Sequence, residues 1–318
     1  MFNPILVPLD GSSLAESILP HVSIIAKVDS SEVILLRVLD KQFPTHATET
    51  VDPFEWQIRK AEASAYLEQL AAQMVDSGLK TQTEILEGNA AESIVEYAQL
   101  NDIPLIMLSS HGQSGITGWN VSSVVQKVIL RARTSIMIVR SYNLGSTELK
   151  ELRYQRILVP LDGSQRAESI LSRATAVARS QEAQVIIAHV VRQPEMPRRT
   201  PLTQEDQELV ERVTDRNRAE AEKYLAELKT RLDVNTATRL LVSQSVVSTL
   251  HEFIEREQID MVFLSAHGYT GETRWPYGST VVSFIAYGTT PLLIYQDLNR
   301  DKILQTQAEL VAKEYGGR

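Results

Sequence analysis

One stretch of this chain occurs twice. Ile5-Leu-Val-Pro-Leu-Asp-Gly-Ser12 recurs letter for letter as Ile157-Leu-Val-Pro-Leu-Asp-Gly-Ser164, and the match continues through Ala15–Leu19 and Ala167–Leu171. A period this long means two copies of one domain and excludes a short solenoid unit. At 318 residues the chain has room for two domains of ordinary size. Each copy therefore serves as a control for the other: positions where they agree report the fold, and positions where they part report a difference in task.

Within a copy, apolar runs of strand length alternate with helical patterns. The first copy reads as strand Ile5–Leu9, helix with apolar positions Leu14, Ile18, Val22 and Ile25, strand Val33–Leu39, a loop with Pro44 and Pro53, long helix Phe54–Val75 closed by Gly78, strand Thr81–Leu86, helix capped by Asn89, strand Leu105–Leu108, glycine-containing loop Ser110–Gly115, helix Ser122–Arg131 and strand Ser135–Val139. Ser12 or Ser13 caps the first helix. The second copy follows the same order, with strands at Ile157–Leu161, Val185–Val191, Thr238–Val242, Met261–Leu264 and Leu292–Tyr295. Its long helix, Thr203–Leu232, is heavily charged, reads as a solvated face, and starts with a capping-box pattern, Thr203 to Asp206. Continuous apolar strands alternating with helices predict parallel α/β layers joined by right-handed crossovers. The fold class is thus α/β: two tandem doubly wound domains, each with a five-stranded parallel sheet flanked by helices. The boundaries fall at 1–140, a polar linker 141–153 containing Gly145, 154–297, and a tail 298–318 in which Ile303, Leu310 and Val311 form a weak helical stripe.

Bulk properties narrow the partners. The net charge of −8 argues against nucleic acid or an anionic membrane, both of which attract basic surfaces. The absence of cysteine removes disulfides, thiolate metal sites and cysteine nucleophiles. The first residues lack the basic start of a signal peptide, and no apolar run is long enough to span a bilayer, so a cytoplasmic protein is the simplest expectation.

In sheets of this kind ligands bind beyond the carboxyl ends of the strands, where strand order reverses. Two loops of each copy end there. One is the Pro-Leu-Asp-Gly-Ser turn after the first strand. The other follows the fourth strand: Ser265-Ala-His-Gly268 in the second copy, then nine residues, then Gly278-Ser279 opening a helix. That spacing suits an anion. Gly268 permits close backbone approach, and a helix N-terminus at Gly278-Ser279 offers N–H groups and a favourable dipole. Asp10 and Asp162 have two readings: local caps of strand-to-helix turns, or acceptors for a base or ribose.

These two loops resemble those of the universal stress protein family, and the likeness covers both halves, roughly Phe2–Arg140 and Tyr154–Asp297. Nucleotide-binding members carry G-x-x-G, nine residues, then G followed by Ser or Thr, and bind ATP between the first and fourth strands. The resemblance implies an adenine-nucleotide site in the second copy. Asp162 and the backbone at Val190 would hold the adenine, and Gly268, Gly278 and Ser279 the phosphates, with Ser265 where the motif has its first glycine; Pro160, Leu161, Leu264 and Thr280 belong to the same site. The first copy would use Asp10, Val38, Ser109, Gly112, Ser122 and Ser123, but two of its three motif glycines are serine. If position 122 needs a positive φ or close phosphate approach, Ser122 costs about 1 kcal/mol or more. Mg²⁺ would be held mainly by the phosphates. The last strands, Ile136–Val139 and Leu292–Tyr295, would lie at sheet edges that invite pairing. In this family such strands pair across a dimer axis, which implies an internal pseudo-dimer of the two halves or a homodimer, with the tail available to close the contact.

Other residues point less sharply. His111 and His267 read as loop hydrogen-bonders rather than general bases, because no carboxylate stands at a fixed spacing to orient either ring. Trp119 and Trp275 read as packing residues. There is no Walker P-loop and no G-x-G-x-x-G after a first strand, and Arg274, opposite Gly118 of the first copy, is the one basic residue within 265–279. A dedicated enzyme is therefore disfavoured, with slow ATP hydrolysis as the ceiling. The order of readings is a nucleotide-responsive stress protein, then an interaction scaffold of the same fold, then a slow ATPase or autophosphorylating protein.

Overall fold

A computed structural model describes residues 1–40, 53–113, 121–141, 152–195, 203–269 and 276–298. Pro44, Gly115, Gly118, Trp119, Gly145, Arg274, Trp275 and the tail with Ile303, Leu310 and Val311 lie outside the described residues. The chain divides into two compact units, Met1–Arg153 and Tyr154–Arg318.

The first unit runs β1 (Ile5–Pro8), α1 (Ser13–Glu16), α2 (Leu19–Asp29), β2 (Glu32–Leu39), α3 (Pro53–Asp76), β3 (Lys80–Glu87), α4 (Ala90–Leu100), β4 (Leu105–Ser109), α5 (Ser123–Arg131) and β5 (Ser135–Val139). The second repeats it as β6 (Arg156–Pro160), α6 (Gln165–Glu168), α7 (Leu171–Gln181), β7 (Gln184–Arg192), α8 (Gln204–Arg231), β8 (Thr236–Ser243), α9 (Val246–Arg256), β9 (Met261–Ser265), α10 (Ser279–Tyr287) and β10 (Leu292–Tyr295). The strand order is β3-β2-β1-β4-β5 in the first unit and β8-β7-β6-β9-β10 in the second. Within each unit the strand pairs are parallel. The order reverses between β1 and β4, and between β6 and β9, which opens a crevice at the carboxyl ends there.

The apolar strand runs are buried because helices cover both faces: Ile5, Leu6 and Val7 are fully inaccessible, as are Ile157, Leu158 and Val159. Register aligns the copies residue by residue. Pro8 pairs with Leu36 and Pro160 with Ala188, so Leu36 and Ala188 are equivalent.

The pattern Leu14, Ile18, Val22, Ile25 predicts one helix, but the chain forms two, α1 and α2. Ser17 Oγ donates to the Leu14 carbonyl at 2.7 Å, and Ser169 Oγ to the Arg166 carbonyl at 2.6 Å. A serine hydroxyl that takes a carbonyl within the turn loosens the helical ladder, and the chain bends at the same place in both copies. The capping box at α8 forms as read, with Thr203 Oγ1 accepting from Asp206 N at 3.2 Å and Asp206 Oδ2 accepting from Thr203 N at 3.0 Å. Ser141, the first residue assigned to the linker, is fully buried and donates its N–H to Ser110 Oγ at 3.2 Å.

Candidate functional site

In the second unit the turn after β6 and the loop after β9 meet over the switch point. Pro160, Leu161, Asp162, Val190, Leu264, Ser265, Gly268, Gly278, Ser279 and Thr280 all line one cavity of about 930 Å³. In the first unit Asp10, Val38, Ser109, Gly112, Ser122 and Ser123 line a cavity of about 250 Å³. The difference has visible causes. The small Ala188 stands where Leu36 fills the first cavity. The second cavity also reaches across to α8, at Asn217, Glu220 and Tyr224. In the first unit that side holds Arg37, whose Nη1 would lie 2.9 Å from a Cβ at Gly11. His189 takes the same place on β7, and its Nδ1 meets the Leu161 carbonyl at 2.9 Å. Burial lowers the His189 pKa, opposed by that carbonyl and by Asp162, so the ring is neutral at neutral pH and donates through Nδ1.

Each aspartate joins the two loops. Asp162 Oδ1 accepts from Ser164 N at 3.0 Å and Ser164 Oγ at 2.6 Å, while Oδ2 accepts from Tyr269 N at 2.6 Å. Asp10 is held likewise by Ser12 and by the Gln113 N–H. Burial pushes the Asp162 carboxyl up, but the hydrogen bonds from Ser164 and Tyr269 outweigh it and hold the group below its usual range. The hydrogen bonds make each carboxylate cap its own turn and anchor the opposite loop, and both residues also line their cavities. The geometry also explains Gly112 and Gly268. A Cβ at either would overlap the Oδ2 of Asp10 or Asp162.

Backbone conformation does not require glycine at position 278. Gly278 has φ −69° and Ser122 φ −67°, so neither position requires a positive φ, and a Cβ at Gly278 would lie in ordinary contact, 3.6 Å from the Ala266 carbonyl. Ser122 carries no backbone strain. The copies differ instead in how the helix end is satisfied. Ser122 Oγ accepts from Val125 N at 3.3 Å and caps α5, whereas no side chain caps α10 at Gly278. A second group follows the same pattern. Ser109 Oγ donates to the Leu14 carbonyl at 2.7 Å, whereas its equivalent, Ser265 Oγ, is buried without a hydrogen-bond partner among the described residues. The first unit satisfies internally two groups that the second leaves facing its cavity.

The family model for universal stress proteins matches residues 1–140 and again 153–296. The chain belongs to the universal stress protein family. It holds two universal stress protein domains in tandem. One curated relative is the universal stress protein MJ0577 of Methanocaldococcus jannaschii, 27% identical over 158 residues, which covers 45% of this chain and 98% of the relative. Another is the universal stress protein YxiE of Bacillus subtilis, 27% identical over 149 residues, covering 44% and 100%. Among solved structures, a universal stress protein from Archaeoglobus fulgidus matches with a TM-score of 0.65 at 17% identity, covering 94% of this chain and 100% of that one. A putative universal stress protein from Pseudomonas aeruginosa matches at 0.66 and 16%, covering 95% of each. Likeness at that identity is likeness of fold.

Three features of this tandem universal stress protein escaped the sequence reading. Leu36 against Ala188 and Arg37 against His189 lie in strands, where the copies differ at many positions and only register shows which ones face the cavity. The third is a carboxylate for His267, because Asp297 Oδ1 meets His267 Nδ1 at 2.8 Å. The two are 30 residues apart, so no local spacing flags the pair. Aligning the copies would have, since Asp297 falls where the first domain has Ser141. The expectation that neither histidine has an orienting carboxylate is corrected for His267. His111 instead meets Ser110 Oγ at 3.0 Å.

Proposed function

We propose that the second domain binds an adenine nucleotide, with ATP foremost, and that the protein serves a regulatory role in stress response. Mg²⁺ would enter with the nucleotide, held by its phosphates. The observation that carries this reading is the open helix end at Gly278. An uncapped N-terminus beside a cavity of about 930 Å³ suits an anion, its own N–H groups being unclaimed by any side chain among the described residues. The unpartnered Ser265 hydroxyl supports it, because a buried polar atom left unsatisfied costs about 1–3 kcal/mol unless a ligand or water meets it. The likeness of Gly268 and Gly278-Ser279, nine residues apart, to the family motif supports phosphates at the same point. A cavity of this volume lies in the range for a cofactor-sized ligand.

The first domain is assigned a structural role in this reading, because its helix end is closed by Ser122 and its cavity is a fraction of the other's volume. The test is the nucleotide content of freshly purified protein after denaturation, followed by calorimetry with ATP and Mg²⁺. About one adenine nucleotide per chain is expected. A chain that carries none and releases no heat with ATP would overturn the reading and favour a scaffold. Steady phosphate release that Gly278→Asp abolishes would instead establish a slow ATPase.

A further inference from the structure

The second domain contains a buried carboxylate–histidine pair, reached by a half-exposed arginine, that its first-domain counterpart lacks. Asp297 lies two residues beyond the end of β10, and its side chain is 3% exposed. Its Oδ1 accepts from His267 Nδ1 at 2.8 Å, and the histidine side chain is 4% exposed, so water has little access to compete for the bond. Its Oδ2 is buried and accepts no hydrogen bond among the described residues, while Arg166 Nε stands 3.7 Å away. The three residues come from three segments. His267 belongs to the loop after β9, Arg166 to α6 directly after the Asp162 turn, and Asp297 to the chain leaving β10.

Chemistry separates this network from its equivalent. A carboxylate only accepts, so the His267 ring must carry a proton on Nδ1, and its orientation and tautomer are fixed together. In the first domain Ser141 stands for Asp297, Ser110 for Ala266 and Leu14 for Arg166. There His111 Nδ1 faces Ser110 Oγ at 3.0 Å, and that hydroxyl faces Ser141 Oγ at 3.1 Å. Hydroxyls donate or accept as they rotate, so they fix neither the ring's proton nor a charge. The carboxylate arrangement thus occurs in the domain whose helix end is open.

We propose that Asp297 is a positioning residue for the second domain's site. Through His267 it holds the backbone at Gly268, and through Arg166 it holds the helix that follows the Asp162 turn, so this carboxylate adds a second tie, beside the Asp162–Tyr269 contact, between the two loops that face the cavity. Its importance for nucleotide binding rests on the reading given above; its hold on the loops does not. In the first domain the Asp10–Gln113 contact, the counterpart of Asp162–Tyr269, joins the loops with no second carboxylate behind it.

The full chain without nucleotide provides the first test. Nitrogen spectra of the histidine rings should show His267 protonated on Nδ1; a ring protonated on Nε2 alone would overturn the proposal without any variant. Asp297→Ala should speed amide exchange at Gly268 and Tyr269 by about tenfold and remove that tautomer preference. Asp297→Asn, whose amide oxygen accepts the same bond, should restore exchange to within about threefold of wild type. Exchange unchanged in Asp297→Ala would overturn the proposal, and if that variant does not fold, the wild-type ring spectrum and the Asn variant decide. Calorimetry with ATP and Mg²⁺ adds a separate arm. Binding about tenfold weaker in the Ala variant and recovered in the Asn variant is expected. Undiminished ATP affinity alongside faster exchange would overturn the link to the site. Wild-type protein that binds no ATP counts against the nucleotide reading alone, since ring tautomer and exchange are measured without ligand.

Discussion

At the scale of single residues, the two domains differ by what a hydroxyl is already doing. Ser122 uses its Oγ to close α5, and Ser109 uses its own on the Leu14 carbonyl; Gly278 and Ser265 leave the matching positions open. Gly278→Ser should therefore transplant the first domain's cap. Because Gly and Ser differ by only a few tenths of a kcal/mol as caps, the melting temperature should hardly move while ATP affinity falls at least tenfold by calorimetry. Equal affinity would place the phosphates elsewhere. Ala188→Leu should cut ATP binding by filling the cavity where Leu36 fills the other one. Gly268→Ala is expected to do more damage than either. Its Cβ would meet the Asp162 carboxylate, which Ser164 and Tyr269 hold in place, and overpacking of that kind costs about 1–3 kcal/mol, readable by urea unfolding.

At the scale of elements, helix and strand identity was legible because apolar runs and turn residues recur in the same order twice, and two independent copies make chance patterns unlikely to agree. The α1–α2 break was not legible, because hydrophobic spacing carries through Ser17 while the hydroxyl interrupts the ladder. Nor did the sequence reveal the role of the aspartates, since an Asp-Gly turn looks the same whether the carboxylate faces a ligand or the opposite loop. One element carries a pH dependence. His21 on α2 is buried, and burial lowers its pKa from 6.5 to about 4, whereas the equivalent position on α7 is Arg173. The native state holds the neutral ring. Its contribution is thus complete above pH 6.5 and is lost as pH falls toward 4, a change of about 3 kcal/mol at most. In His21→Met the loss of stability over that interval should be shallower than in wild type, as followed by urea unfolding at several pH values. Parallel curves would mean that the ring is not what titrates.

At the scale of the whole molecule, the duplication set the domain count and the family, and it placed the candidate sites at the same corner of each sheet. What it could not convey was how much space each corner holds, because volume depends on side chains that meet across strands, such as Leu36 or Ala188 against the end of the neighbouring strand. The two units should also respond differently to ligand. A ligand that binds only folded protein stabilises it by RT ln(1 + [L]/Kd), about 2.7 kcal/mol at a hundredfold excess over Kd. Scanning calorimetry with ATP should move the unfolding of the second domain and leave that of the first where it was. A single shift shared equally by both would contradict a one-site chain. The Ser122 cap then takes on a meaning beyond affinity. If the proposed site is right, a domain that closes its own helix end would keep the same resistance to unfolding and proteolysis whether a cell is fed or starved, whereas its open twin would grow sturdier or frailer with the nucleotide pool. One polypeptide would thus join a half indifferent to energy supply to a half whose lifetime reports it.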